Sequence, residues 1–263
     1  MSDTPETAKN DYEQRLKDSD AAVAEFDHAP RGLMGTVQHV LHANPTYVPV
    51  IVLVASIAVF GAIAGERFFS PFNMTLIMQQ VSIIGILAAA QTLIIITAGI
   101  DLSVAAIMVL MSVISGKLAV QMGVPAPIAL LVSFAGGIGA GYLNGWLVTR
   151  VKLPPFIATL GTWNIFFALN LWLSGAQSIR GADIDEAAPL LKFFGNTLEL
   201  GAARLTYGTV LMIFVFIALW YVLNKTAWGR HVYMIGDDKE AAELAGIRTD
   251  RTLRQVYMVA GFI

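Results

Sequence analysis

The chain has 263 residues, of which 56% are hydrophobic and only 14% charged, with a formal net charge of −2. Soluble domains carry roughly 25% charged residues, so this composition excludes an ordinary soluble fold, and the near-neutral balance excludes a nucleic-acid partner. With no cysteine in the chain, disulfides and thiolate metal sites are excluded as well.

Residues 1–45 hold eight Asp and Glu against four Lys and Arg. They lack the basic start, short apolar run and small-residue cleavage site of a secretory signal. They read as a polar cytoplasmic tail that stays attached, either with an amphipathic helix around Tyr12–Phe26 or as a solvated disordered segment. Residues 46–263 read as one transmembrane domain. Four stretches within it carry no charged residue: 68–100, 118–149, 153–179 and 205–224. A helix needs about 20 mostly apolar residues to cross the hydrocarbon core, and each stretch allows at least one.

In chain order, the first span is Tyr47 to Ala64, followed by a polar loop with aromatic flanks, Glu66 to Asn73. The second is Met74 to Ala98 and the third Leu102 to Met122, with only the tight turn Gly99-Ile100-Asp101 between them. The fourth is Ile128 to Val148, closed by Arg150, Lys152 and the Pro154-Pro155 pair. The fifth run, Phe156 to Gly175, either crosses or re-enters, because Pro155 and Gly161 weaken its start. A polar stretch, 177–204, precedes the sixth span, Tyr207 to Leu223. Residues 224–254 then carry six basic and five acidic side chains. A new apolar run starts at Val256. The expected fold is therefore an all-α polytopic membrane helix bundle of about six spans plus the start of a seventh, with the chain expected to be part of a longer protein. The positive-inside rule places the N-terminus, Arg150, Lys152 and the 224–254 loop in the cytoplasm and 177–204 outside.

Four segments carry candidate chemistry. Asp101 is the only carboxylate between Glu66 and Asp183. With Ser103 it either faces a substrate path at a broken helix or caps the third helix by accepting from the Ser103 or Val104 N–H. In Gly136 to Gly145, Gly137 and Gly141 are spaced for close helix packing in lipid, and Asn144 needs a buried partner. The run 153–162 combines a proline pair, Gly161, Thr159 and Thr162, and Asn164 and Asn170 follow with Trp163 and Trp172. The segment either bends to line a water-filled cavity or forms an ordinary helix with Trp at an interface. Such groups suit a cavity for a hydroxylated neutral solute, as does Gln91. Asp237 or Asp238 caps a short amphipathic helix that ends at Gly246. Glu240, Ala241 and Ala242 lie on it. There is no phosphate-binding loop, paired catalytic carboxylates, nucleophile triad or metal cluster, so no catalytic residue, metal ligand or cofactor is expected.

Together these segments resemble the permease subunit of bacterial ABC importers, in the branched-chain amino-acid and monosaccharide permease family and nearest to its ribose, xylose and fructose types. Ala98 to Val104, Asn144-Gly145 with Leu153 to Thr162, and Gly229 to Gly236 with Ala241 to Ile247 carry the resemblance, and Phe68 to Asn73 matches the start of the second span. Ala98 and Ala105 stand where the family has glycine. The resemblance implies about ten helices in the whole protein and a bacterial inner-membrane location among lipid. It implies a second permease subunit forming a homodimer, cytoplasmic ATP-binding subunits gripping the loop at 224–254 through Asp238, Glu240, Ala241, Ala242 and Gly246, and a periplasmic sugar-binding protein. The substrate path would pass Gln91, Asp101, Ser103, Asn144, Thr159, Thr162 and Asn164. Two alternatives are a branched-chain amino-acid cargo, which needs partners for an ammonium and a carboxylate, and a secondary transporter, which needs ionisable groups in its spans.

Overall fold

The computed structural model describes residues 41–44, 46–200 and 203–263. The segment Tyr12–Phe26, where an amphipathic helix was considered, lies outside the described residues. The chain divides between Phe68 and Phe69 into two compact units. The first holds α1 (Tyr47–Ala64) and a 3-10 turn, Gly65–Arg67. No residue of α1 is buried. A helix apolar on all sides and open on all sides is suited to lipid, not water.

In the second unit, α2 (Pro71–Ile96) begins where Ser70 Oγ accepts from the Asn73 N–H at 3.3 Å. Pro71 occupies its first position, where a missing N–H costs nothing. Then come α3 (Val104–Gly116), which runs on through a π turn, Lys117–Gln121, and α4 (Ala126–Thr149). The fifth apolar run forms α5 (Pro155–Ser174), an unbroken helix of 20 residues, about 30 Å long at 1.5 Å per residue. Pro155 starts this helix without weakening it, because it too sits at the first position.

The polar stretch 177–204 is more ordered than its composition announces. It contains α6 (Gly181–Ala187), a 3-10 helix at Pro189–Gly195, and an antiparallel hairpin of β1 (Thr197–Leu200) and β2 (Ala203–Thr206). Glu199 pairs with Arg204 across the hairpin at 3.2 Å, an exposed contact that contributes at most about 1 kcal/mol.

After α7 (Tyr207–Lys225), the basic segment forms α8 (Ala227–Asp237), α9 (Lys239–Leu244) and α10 (Thr249–Phe262). Thr226 caps α8 by accepting from the Gly229 N–H at 3.1 Å. Gly229, Val232 and Ile235 are its buried face. α10 starts ahead of the apolar run at Val256 because its first turns are amphipathic. Thr249, Thr252 and Leu253 are buried there while Arg251 stays exposed. Six helices among the described residues are long and apolar enough to cross a membrane, and the architecture is an all-α polytopic bundle.

The tightest packing joins α4 to α10. A Cβ built on Gly137 would stand 2.2 Å from the Gly261 carbonyl oxygen, and one on Gly141 would stand 2.1 Å from the Tyr257 carbonyl oxygen. One on Gly145 would stand 2.9 Å from Arg254 Cα. No side chain fits at any of the three, so glycine is what lets the two backbones touch. In lipid such contact holds helices together, because apolar burial supplies little net drive there. Around the seam, Ala90, Leu93 and Ile94 of α2 pack with Leu223, Val232, Val256 and Tyr257.

The unit has two distinct ends. At one end the α2–α3 turn, the α4–α5 connection and α9 share the lining of a cavity of about 620 Å³. At the other, Ala119 of the π turn packs with Ala188, and Thr75 Oγ1 donates to the Arg204 carbonyl at 3.0 Å.

The seam sets a test. Gly141→Leu is expected to destabilise the detergent-solubilised protein by about 3 kcal/mol or more. Gly139→Leu, at a position with open space around it, should leave the thermal unfolding midpoint within a few degrees of the parent.

Candidate functional site

The α2–α3 connection spans residues 97–103, longer than the two or three residues predicted. Ala98 adopts a left-handed φ of 56°, and the Gly99 N–H donates to the Ile94 carbonyl at 3.0 Å. A side chain in that region costs about 1 kcal/mol, which is the physical reason for glycine in the resembled family. Ala105, the other departure, is exposed, and its methyl group is accommodated.

This turn is pinned by a polar cluster. Asp101 Oδ1 accepts from both the Ser103 N–H and the Ser103 hydroxyl, each at 2.7 Å. The α3 helix itself starts at Val104 with Ser103 at its cap position, so Asp101 closes the turn just ahead of the helix. Asn144 of α4 donates through Nδ2 to Ser103 Oγ at 2.7 Å, and Thr162 of α5 donates to Asn144 Oδ1 at 2.7 Å. Thr159 accepts from the Leu102 N–H at 3.2 Å and lies 3.1 Å from the Ile100 carbonyl. All five side chains are buried, Ser103, Asn144 and Thr159 completely. The cluster satisfies the polar groups that a break between spans exposes, as an apolar medium demands.

The structure thus brings together Asp101, Ser103, Asn144, Thr159 and Thr162, and keeps Gln91 and Asn164 apart from them. Gln91 is half-buried on α2, and its Oε1 has no partner among the described residues. Asn164 is exposed on α5 and donates to its own helix at Leu160. Tyr257 was not singled out in the sequence. It is buried beside Gly99, with a hydroxyl that has no partner among the described residues. Its signal was available, as the one polar side chain in the run 256–263.

The second candidate is α9. Asp238, not Asp237, is its cap, accepting from the Glu240 and Ala241 N–H groups at 2.8 and 3.0 Å. Gly246, with φ +83°, lies just past its end. Ala242 faces inward, packed with Ile235 and Leu253. Glu240 and Ala241 face out, and so does Leu244, which is 91% exposed. Thr249 donates to Glu243 at 2.5 Å and Lys239 lies 3.6 Å from Asp250, so α9 is clasped to α10.

A family model described as branched-chain amino acid transport system / permease component matches residues 73–263. The fructose import permease protein of Rhizobium meliloti is 51% identical over 96% of this chain and 70% of its own length. The ribose import permease protein of Bacillus subtilis (strain 168) is 33% identical over 77% of this chain and 61% of its own length. The D-allose transport system permease protein of Escherichia coli (strain K12) is 30% identical over 80% of this chain and 62% of its own length. No solved structure matches the chain.

Thr162→Val removes one donor from the buried cluster and strands Asn144 Oδ1. It is expected to cost about 1–3 kcal/mol, read as a lowered unfolding midpoint. Thr162→Ser, which keeps the hydroxyl, should recover most of that loss.

Proposed function

The chain belongs to the branched-chain amino acid transport system / permease component family, and from that membership we propose that it is the membrane-spanning permease subunit of an ATP-driven importer of a monosaccharide. The cargo is of the fructose, ribose or xylose kind. The similarity to import permeases for fructose, ribose and allose supports a sugar. So does the chemistry of the spans, where the candidate path groups Gln91, Asn144, Thr159, Thr162 and Asn164 are amides and hydroxyls. In this conformation Asn144, Thr159 and Thr162 are engaged with the turn at Asp101, whereas Gln91 Oε1 has no hydrogen-bond partner among the described residues and Asn164 is exposed.

The observation that carries the reading is α9. Six residues make too short a helix to persist alone in water, yet this one is capped, clasped to α10 and anchored through Ala242. It holds Leu244 out at 91% exposure. A rigid platform with one apolar knob suits a groove on a partner protein. That partner is the ATP-binding subunit, which hydrolyses ATP outside this chain. A second permease subunit and a soluble sugar-binding protein complete the assembly. The end bearing α9, Arg150 and Lys152 faces the cytoplasm of a bacterial inner membrane, and 177–204 faces out.

The test is uptake of labelled fructose, ribose, xylose and leucine by cells carrying the complete importer, comparing the parent with Leu244→Asp. Sugar uptake falling about tenfold or more in the variant, together with loss of co-purifying ATP-binding subunit, is expected for an exposed docking anchor. Unchanged association and uptake would remove α9 from docking. Uptake of leucine uninhibited by any sugar would replace the cargo class.

A further inference from the structure

At the end of the bundle opposite α9 lies a second cavity of about 620 Å³, walled by α3, α4, α5 and the segment around 176–192. None of the path candidates named above lines it. We propose that this cavity is a binding subsite for a neutral polyhydroxylated solute, held between Lys117 and Asn170. The identity of the ligand as cargo rests on the importer reading; the site itself does not.

Three observations carry the inference. The first is Lys117, at the start of the π turn that closes α3. Its ammonium donates to the Leu173 carbonyl and, among the described residues, makes no ion pair. An ammonium has three donors, so two remain for a ligand. The other cation on the wall, Lys192, is already neutralised by Asp185 at 2.6 Å and donates also to the Gly181 carbonyl. The second is Asn170, one turn before Leu173 on α5. Asn170 lines the cavity, and its Oδ1 is buried without a hydrogen-bond partner among the described residues. A buried amide oxygen left unmatched is costly, and a donor arriving with a ligand would satisfy it. The third is the π turn, a rare widening of a helix that recurs at functional sites. Here it presents Lys117 and Gln121 to the same space.

The pairing selects a ligand class. A hydroxyl oxygen accepts from Lys117, and the same or a neighbouring hydroxyl donates to Asn170 Oδ1. An ionised carboxylate accepts only, and would leave Asn170 Oδ1 unmatched. No carboxylate lines the cavity among the described residues, so the ammonium of an α-amino acid would find no counter-charge. Ser112, Ser115 and Gln177 add further neutral hydrogen-bonding groups.

The chain has no cysteine, so a single thiol reports on the cavity cleanly. Val113 lines the cavity without a polar group, which makes Val113→Cys a probe that removes no ligand contact; Leu130→Cys, at another apolar lining position, serves if that variant does not fold. Alkylation by N-ethylmaleimide is followed in the complete transporter with D-fructose, D-ribose, L-leucine or inorganic phosphate present. The sugars are expected to slow the reaction about threefold or more, and leucine and phosphate to leave it unchanged. Adding Asn170→Leu should raise the sugar concentration needed for protection about tenfold, as for loss of one buried hydrogen bond. Lack of protection by either sugar in a transporter that imports sugar overturns the subsite and leaves the importer reading intact. Protection by a sugar in a transporter that imports none upholds the subsite and overturns the importer reading. Protection by phosphate or leucine alone overturns the proposed ligand class.

Discussion

One carboxylate buried between two apolar helices sets the terms for this bundle. Asp101 sits where α2 gives way to α3, 5% exposed, in a region where an unmatched charge costs several kcal/mol. Its own turn supplies the first partners, the N–H and hydroxyl of Ser103. Ser103 then requires a donor, and Asn144 on α4 provides it. Asn144 in turn takes its donor from Thr162 on α5. Each member satisfies the one before, so three consecutive helices are fixed in register by a chain of hydrogen bonds between side chains 41 and 18 residues apart. Such networks are worth having only when complete, and this one ends on a hydroxyl that also reaches the Thr159 carbonyl at 3.3 Å.

The placement of α4 has a second consequence. With Asn144 turned toward α3 and α5, the glycines at 137, 141 and 145 present a bare strip to α10. α10 lies on that strip and carries the clasp to α9 through Lys239, Glu243, Thr249 and Asp250. α9 is therefore held, through α10, by backbone contact with the same helix that holds the polar cluster. Packing of this kind is discrete, not yielding.

Much of this was legible in the sequence, and the rest was hidden for physical reasons. The bounds of α1 and the near bounds of the other spans follow from charge-free runs, because lipid tolerates little else. The Gly137–Gly141 spacing announced a seam, but nothing in the sequence said that α10 would fill it. α8 and the start of α10 were missed because their faces are amphipathic and their composition reads as a charged loop. The strands at 197–206 are too short for alternation to stand out. Asp101, Ser103, Asn144, Thr159 and Thr162 were each visible as polar groups in apolar runs. Their mutual contacts were not, since partners 41 and 18 residues apart meet only through tertiary packing.

The link between Ser103 and Asn144 is the contact on which the rest of the cluster depends, and a double-mutant cycle measures it directly. Ser103→Ala, Asn144→Ala and the double variant would be unfolded in the same detergent and their stabilities compared. Partners in one buried network are expected to couple by about 1–2 kcal/mol, the double variant losing that much less than the two single losses added. Losses that add to within about 0.3 kcal/mol would mean that the two side chains act independently, and would contradict a cluster that fixes the three helices together.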